Sequence, residues 1–325
     1  MKIGPYQFDN NLILAPMAGI TDRPFRQLCK EFGAAMAMSE MVSAKPELRH
    51  TRKSQLRLDR QGESGLHWVQ IAGSEAEVLA DAARYNVNQG ADIIDINMGC
   101  PVKKVYRKAA GSALLADEGL VQEICQQVVA AVNVPVTLKI RTGTDSNNKN
   151  AVNIAKIAQS SGIRALTIHG RTREEKFTGK AEYKTIRQVR DQLDITLIAN
   201  GDIDSPEKAL EVLNLTQADG LMIGRAAQGT PWIFREINYF LATGRKHGAI
   251  SDLEIAEIMA RHIGALHQFY GDVQGVKFAR KHVAWYLRSY PDGKTFSHNF
   301  NKITGPKQQL LAIESWLATD KYQKI

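Results

Sequence analysis

Short apolar runs rich in β-branched residues recur through the first three quarters of the chain and alternate with amphipathic segments. Each run is of the length expected for a buried strand. They span residues 12–14, 36–38, 67–71, 93–96, 136–140, 166–168, 196–198 and 221–223. Eight such strands separated by helices predict an α/β fold, a closed parallel TIM (β/α)8 barrel.

Helix signals fill the segments between these runs. Ser205 followed by Pro206 is typical of an N-cap and the first helical position, and Ser74 is a second candidate N-cap. From about Gly244 onward the pattern is helical only. The sequence therefore predicts a barrel domain over residues 1–244 and a C-terminal all-helical domain over residues 245–325.

Charge distinguishes the second predicted domain from the first. Residues 245–325 hold 12 lysines and arginines against 7 aspartates and glutamates, a net +5 of the chain's +8. Lys277, Lys281 and Arg288 have the spacing to share one helix face, with apolar residues on another. A basic stripe of this kind favours contact with RNA phosphates, although a solvated helix surface would look the same.

Composition excludes several classes of protein. No apolar run approaches the ~20 residues of a membrane span, and the N-terminus lacks the apolar stretch of a signal peptide. The three cysteines are too widely spaced for a disulfide framework or a zinc site. We therefore expect a cytoplasmic protein with no metal, no membrane association and no obligate protein partner.

Polar and reactive residues gather just where the predicted strands end, at the rim where such barrels carry their chemistry. After strands seven and eight, Asn200-Gly201-Asp202 and Gly224-Arg225 supply glycines and a cation suited to a phosphate, unless the glycines serve only the turns. The other strand ends carry Pro16-Met17-Ala18, Glu40, Gln70, Asn97 with Cys100, Lys139 with Arg141, and His169-Gly170-Arg171.

Two of these residues indicate a particular chemistry. Lys139 lies within an apolar strand, and a lysine is almost never buried without a partner. An inward Lys139 calls for an anion inside the barrel, such as the N1 and O2 edge of a reduced flavin. Cys100 sits between Gly99 and Pro101 and precedes two lysines, which favours a functional thiol over a small buried hydrophobe.

Taken together, these motifs resemble the tRNA-dihydrouridine synthases, over nearly the whole chain and in register. The resemblance is closest to their bacterial B subgroup. The family resemblance is carried by residues 15–22, 97–101, 138–141, 169–172, 200–202 and 224–225. The likeness to the B subgroup is carried by residues 97–101 followed by 103–105, and by residues 225–229 with 231–234.

The resemblance implies an FMN enzyme that uses NADPH to reduce the C5–C6 double bond of a uridine in the D-loop of tRNA. It implies Cys100 as the proton donor, and Asn97, Arg141 and His169 as residues facing the substrate. The FMN site it implies consists of Pro16, Met17, Ala18, Gln70, Lys139, Asn200, Gly201, Asp202, Gly224 and Arg225. The residues themselves predict that Gly99 and Gly111 hinge a loop whose Lys103, Lys104, Arg107 and Lys108 close over phosphates, unless these four form only a solvated charge run.

The chain departs from the family pattern in two loops. Residues 144–148 replace an aromatic residue found in many relatives, and Tyr106 and Ala109 differ in the loop after Cys100. Neither departure touches the implied flavin set. An alternative is an FMN-dependent reductase or dehydrogenase of a free pyrimidine, similar to dihydroorotate dehydrogenases, which would not need the basic helical domain. A non-catalytic RNA chaperone or a phosphosugar isomerase on the same scaffold is a more distant alternative.

Overall fold

The computed structural model describes residues 1–101 and 110–317 and divides the chain into two compact units, Met1–Arg225 and Ala226–Ile325. The strands of the first unit are β1 Lys2–Ile3, β2 Tyr6–Gln7, β3 Leu12–Leu14, β4 Met36–Ala37, β5 Val42–Ser43, β6 Trp68–Ala72, β7 Ile93–Met98, β8 Val136–Arg141, β9 Ala165–His169, β10 Thr196–Asn200 and β11 Gly220–Ile223. Its α-helices are α1 Arg23–Glu31, α2 Arg52–Leu58, α3 Ala76–Asn88, α4 Glu118–Ala131, α5 Ala151–Ser160, α6 Lys184–Arg190 and α7 Pro206–Thr216, with 3₁₀ turns at Pro46–Leu48 and Gly111–Ala116.

The parallel strands close into a ring. Their order is β4-β3-β11-β10-β9-β8-β7-β6-β5, and a parallel bridge between Met38 and Trp68 joins the two ends. β4 and β5 are two halves of one barrel strand, since β4 pairs with β3 and β5 pairs with β6. The predicted eight-stranded barrel is therefore confirmed, with its second strand broken between Ala37 and Val42.

The barrel wall is buried on both faces, so most strands read as continuous apolar runs rather than as an alternating pattern. At the amino-terminal end of the barrel, the small β1–β2 hairpin places Ile3 and Phe8 in one buried cluster with Ile13, Trp68 and Ile198. This hairpin was not predicted, because two-residue strands carry no measurable period. Closing that end with apolar side chains leaves the opposite rim for polar groups.

The two predicted N-caps have different outcomes. Ser205 caps α7 as expected, since its hydroxyl accepts a hydrogen bond from the Lys208 amide. Ser74 does not cap α3: the helix begins at Ala76, and its N-cap is Glu75, which makes no side-chain capping bond.

The second unit is helical throughout the part that the structure describes. Its helices are α8 Ile233–Thr243, α9 Asp252–Tyr270, α10 Asp272–Tyr286, α11 Gly293–Phe300 and α12 Pro306–Leu317, preceded by a 3₁₀ turn at Arg225–Ala227. This compact unit begins at Ala226, before α8. The predicted boundary between a catalytic and a tRNA-binding domain at residues 244/245 stays a prediction. No described helix is both long and apolar enough to cross a membrane.

The predicted basic stripe is only partly helical. Lys277 is exposed and Lys281 half-buried on α10, but this helix ends at Tyr286, so Arg288 lies beyond it. Val283 and Tyr286 are buried, as expected for the apolar face of the helix.

Two histidines are enclosed in the core of this unit. The rings of His262 and His282 lie 4.6 Å apart, and His262 Nδ1 is 3.2 Å from the Tyr286 hydroxyl. Burial, with the nearby Lys281 and Arg261 charges, lowers the pKa of His262 to about 3. Burial, with the neighbouring His262 and Lys281, holds the pKa of His282 well below its usual range.

We expect the protein to lose stability as the pH falls below about 6.5, where both imidazoles titrate in the unfolded chain. The unfolded state then binds protons that the folded state excludes, so the free energy of unfolding falls by up to about 1.4 kcal/mol per pH unit for each histidine. Thermal unfolding between pH 7 and pH 5 measures this slope. His282→Gln should flatten it, while a slope left unchanged by that substitution would contradict the assignment; His298→Gln, at an exposed position, is the control.

Candidate active site

Strand register brings the predicted residues to one rim of the barrel. In the pairing of β7, β8, β9 and β10, Asn97 lies opposite Lys139, Arg141 opposite His169, and His169 opposite Asn200. Alternate residues of a strand point the same way, so the side chains of adjacent strands converge on the barrel interior. The carboxyl ends of four strands thus contribute to one polar cluster.

Lys139 is the buried cation of this cluster. Its ammonium donates a 3.0 Å hydrogen bond to Asn200 Oδ1, and the Asn200 amide nitrogen donates to the Met222 carbonyl at 2.7 Å. Burial and the Arg141 charge lower the pKa of Lys139 to about 8, although Asp95 and Cys100 oppose the shift. An additional anion at this end of the barrel would stabilise the charged ammonium.

The Cys100 turn is anchored on both sides. Asn97 Oδ1 accepts the amides of Gly99 and Cys100 at 3.3 and 3.1 Å. The Cys100 carbonyl accepts from the Ser112 hydroxyl at 2.9 Å, and the Gly99 carbonyl accepts from Arg141 Nε at 2.8 Å. These four bonds place the half-buried Cys100 at the rim before the chain leaves at Pro101.

Arg141 is buried rather than exposed at the surface of the rim. It is 1% exposed, and besides the Gly99 carbonyl its guanidinium donates to the carbonyls of Thr172 and Lys176, both at 2.8 Å. Burial is the main cause that lowers its pKa to about 10. The observed contacts of Arg141 connect the Cys100 turn to the loop after β9.

Asp202 joins two arginines. Its carboxylate accepts from Arg171 at 2.6 and 2.9 Å, from Arg225 at 2.7 Å and from the Ala181 amide at 2.8 Å. Burial favours a higher pKa for Asp202, but the Arg171 and Ala181 hydrogen bonds and the two positive charges outweigh it and hold the pKa below its usual range. With these donors engaged, the carboxylate orients Arg225, which is itself exposed.

His169 is a neutral imidazole at the centre of this positive field. Burial, followed by the charges of Lys139 and Arg141, holds its pKa far below its usual range. The ring is therefore uncharged at physiological pH, with one nitrogen as donor and the other as acceptor. Such a group suits an uncharged polar ligand better than an anion.

Two residues of this site, Phe177 and Asp95, were not predicted from the sequence. Phe177 is 53% exposed, and its ring centre is 5.5 Å from the guanidinium carbons of both Arg141 and Arg225. Asp95 is fully buried under the rim, bonded to Gln70 and Thr137. The available signals were an aromatic residue in a basic loop and a charge inside an apolar strand.

The predicted Pro16-Met17-Ala18 segment lies at the end of β3 beside β11. A Cβ added to Gly224 would stand 3.6 Å from both Ala15 Cβ and Met17 Sδ, an ordinary van der Waals distance. No described protein neighbour therefore requires a glycine here, and the missing side chain leaves the backbone accessible. Gly201 differs, because its φ is +123° and a Cβ would lie 2.9 Å from the His169 ring and 2.8 Å from Ala181 Cβ.

The predicted phosphate contacts of Lys103, Lys104, Arg107 and Lys108, and the departures at Tyr106 and Ala109, lie outside the described residues. Within residues 1–101 and 110–317, no group of three or more His, Cys, Asp or Glu side chains could hold a metal ion.

The chain is similar to known proteins over nearly its whole length. A family model described as dihydrouridine synthase (Dus) matches residues 13–322. A curated relative from Pseudomonas syringae pv. tomato, named tRNA-dihydrouridine synthase B, is 55% identical over 98% of this chain and 94% of its own length. One of the same name from Vibrio cholerae is 55% identical over 97% of this chain and 98% of its own.

Among solved structures, an old yellow enzyme homologue from Zymomonas mobilis superimposes with a TM-score of 0.54 at 13% identity, covering 78% of this chain and 94% of that one. At this identity, the likeness supports the barrel fold alone.

We expect Gly201→Ala to destabilise the protein by about 2–4 kcal/mol, because it forces a methyl group against the His169 ring in a backbone conformation that favours glycine. Chemical denaturation would measure the loss. Gly224→Ala is the matched control and should change stability by less than about 1 kcal/mol. Equal losses in the two variants would show that the close approach at Gly201 is not what matters.

Proposed function

The chain belongs to the dihydrouridine synthase family and to its B subgroup, and on that premise we propose that it reduces the C5–C6 double bond of a uridine in tRNA. The observation that carries the proposal is a cysteine held at the rim of a barrel whose interior contains a buried lysine and a neutral histidine. This combination suits addition of a hydride and a proton to an uncharged ring.

FMN is the proposed cofactor and NADPH the proposed reductant. The residues present fit a flavin phosphate: Gly224 leaves an accessible backbone beside Met17, and Arg225 is held there by Asp202. When bound, FMN would supply the hydride that adds to C6 of the uracil. The contacts of Asp202 favour a role in orienting Arg225 over direct contact with the cofactor.

Lys139 and Gln70 are the proposed partners of the flavin ring, and Pro16, Met17 and Ala18 would form an apolar wall against it. Asn200, hydrogen-bonded to Lys139, would fix the direction of the ammonium. A fixed cation in a buried site stabilises negative charge more strongly than a solvated one does. Gly201 would complete the phosphate cradle with Gly224.

Cys100 is the proposed proton donor. Hydride addition at C6 leaves an electron pair at C5, delocalised onto O4; the thiol transfers its proton to C5 and the resulting thiolate is reprotonated from solvent. An ordinary cysteine is mostly protonated at neutral pH and acidic enough for this step. Asn97 and the neutral His169 can hydrogen-bond to the uncharged edges of uracil, with Arg141 behind the turn.

The uridine must leave its stack to reach this rim, because reduction requires access to both faces of the ring. We propose a D-loop uridine as substrate and the cytoplasm as compartment. Residues 245–325 are the proposed tRNA-binding domain, with exposed basic residues such as Lys277 contacting phosphates rather than base edges.

Cys100→Ala tests the proposed function directly. The variant should retain bound flavin and NADPH oxidation yet form dihydrouridine at least about 100-fold more slowly, the usual contribution of a general acid. Product in tRNA is counted by mass spectrometry under single-turnover conditions. Cys125→Ala, in a buried helix position outside the site, should keep the wild-type rate; a Cys100→Ala rate equal to it would refute the proton-donor role.

Lys139→Met should lower the midpoint potential of the bound flavin by an amount on the order of 30–100 mV. The cation is expected to stabilise the reduced, more negative flavin, so its removal makes reduction harder. A redox titration against dyes of known potential provides the measurement. Lys156→Met, exposed on α5, is the control, and a potential unaltered by loss of Lys139 would remove this residue from the flavin site.

A further inference from the structure

A buried carboxylate lies two residues before Asn97, on the same face of β7. Asp95 is 0% exposed. One of its oxygens accepts from the Thr137 hydroxyl at 2.6 Å and the other from Gln70 Nε2 at 2.8 Å. The Thr137 oxygen in turn accepts from Trp68 Nε1 at 3.1 Å.

From Asp95 a continuous chain of hydrogen bonds reaches the Cys100 turn. Gln70 Nε2 donates a hydrogen bond to the Asp95 carboxylate, and Gln70 Oε1 accepts one from Asn97 Nδ2 at 2.8 Å. Asn97 Oδ1 in turn accepts hydrogen bonds from the backbone amides of Gly99 and Cys100. We call this chain of Asp95, Gln70 and Asn97 the amide relay.

The two ends of the amide relay determine the direction of every bond between them. An ionised carboxylate can only accept a hydrogen bond, and a peptide N–H can only donate one. Each side-chain amide between them could be rotated by 180° with little change of shape, so shape alone does not orient it. With Asp95 at one end and peptide amides at the other, only one orientation of Gln70 and Asn97 satisfies every group.

The charge state of Asp95 agrees with this arrangement. Burial raises its pKa to about 6, opposed by the hydrogen bonds from Thr137 and Gln70 and by the Lys139 charge. The carboxyl group is therefore mostly ionised at neutral pH and acts as an acceptor at both oxygens.

We propose that Asp95 is a positioning residue that fixes the orientation of Gln70 and Asn97 and, through them, the turn that carries the Cys100 thiol. The meaning of this placement for catalysis rests on the proposed function, but the placement itself does not. Asp95 touches neither the thiol nor, in the proposed arrangement, the reacting atoms.

Asp95→Asn has nearly the same shape and removes the constraint. The amide introduced by this substitution can preserve the original direction only by donating to the Thr137 oxygen, whose own hydrogen must then turn to the Ile94 carbonyl, 3.4 Å away. If Gln70 and Asn97 both rotate to reverse the direction of the relay, the NH₂ group of Asn97 faces the N–H groups of Gly99 and Cys100, and donors then face donors. Neither state satisfies all the groups as Asp95 does.

Hydrogen exchange at the Gly99 and Cys100 amides, followed by mass spectrometry on the whole protein, reports the placement without any turnover. We expect exchange about tenfold faster in Asp95→Asn. Alkylation of Cys100 by iodoacetamide should also accelerate, at least threefold, while the buried Cys29 and Cys125 stay unmodified as internal references. Thr137→Val is the matched control, since it removes a hydrogen bond to Asp95 but leaves an acceptor facing Gln70.

A second substitution tests whether direction is the cause. In Asp95→Asn combined with Gln70→Glu, the acceptor-only group moves one place along the relay, where it can accept from Asn97 and from the amide that replaces the Asp95 carboxylate. Exchange at Gly99 and Cys100 should return to within twofold of wild type, even though a changed Gln70 is expected to alter the flavin site. Gln70→Leu interrupts the relay but keeps Asp95, so it should accelerate exchange at the Gly99 and Cys100 amides as Asp95→Asn does. This variant replaces Asp95→Asn in the test if Asp95→Asn does not fold.

The proposal is overturned if Asp95→Asn exchanges no faster at these amides than Thr137→Val, or if adding Gln70→Glu accelerates exchange further. Loss of dihydrouridine formation plays no part in these outcomes. A failure of the proposed function, seen as a Cys100→Ala enzyme that still makes product, is therefore distinguishable from a failure of the amide relay.

Discussion

The structure depends on one constraint: in a closed parallel barrel, polar side chains on alternate strand positions point into an interior that water does not fill. Such groups must satisfy one another or a ligand, since an unpaired buried polar group costs about 1–3 kcal/mol. Two groups meet this requirement by hydrogen-bonding among themselves: Lys139 with Asn200, and Asp95 with Gln70 and Thr137. The interior at the rim is therefore a fixed set of hydrogen bonds rather than a group of independent side chains.

This constraint separates residues that can meet a ligand from residues that hold them in place. Arg141 is engaged by three backbone carbonyls, and Asp202 by two arginines and an amide. Both carry charge, yet their observed contacts are with the protein. His169 is neutral because it is buried among cations, and Arg225 is exposed, so these two side chains are the proposed ligand contacts.

Much of this arrangement could be predicted from the sequence, because a parallel barrel places every strand's carboxyl end at one rim. That rule alone predicts that Asn97, Lys139, His169 and Asn200 lie together at this rim. It could not show the break in the second barrel strand, since a four-residue interruption between Ala37 and Val42 has no distinct period. The rule also could not separate residues that contact a ligand from residues that hold other residues in place. Arg141 is buried by a loop more than 30 residues further along the chain, whose Thr172 and Lys176 carbonyls accept its hydrogen bonds.

Asp95 shows the same limit most clearly. In the sequence it is one charge inside an apolar strand, and its importance depends on which residues of β6 and β8 lie beside it. Only the register, which sets Gln70 and Thr137 opposite Asp95 on the two neighbouring strands, turns that charge into an acceptor for both. The proposed proton transfer from the Cys100 thiol to one face of a flat ring would need the backbone of this turn to be fixed to within a fraction of an ångström. Asn97 Oδ1 accepts from the amides of this turn, and Arg141 and Ser112 donate to its carbonyls, so the barrel itself fixes the turn before the chain reaches Pro101.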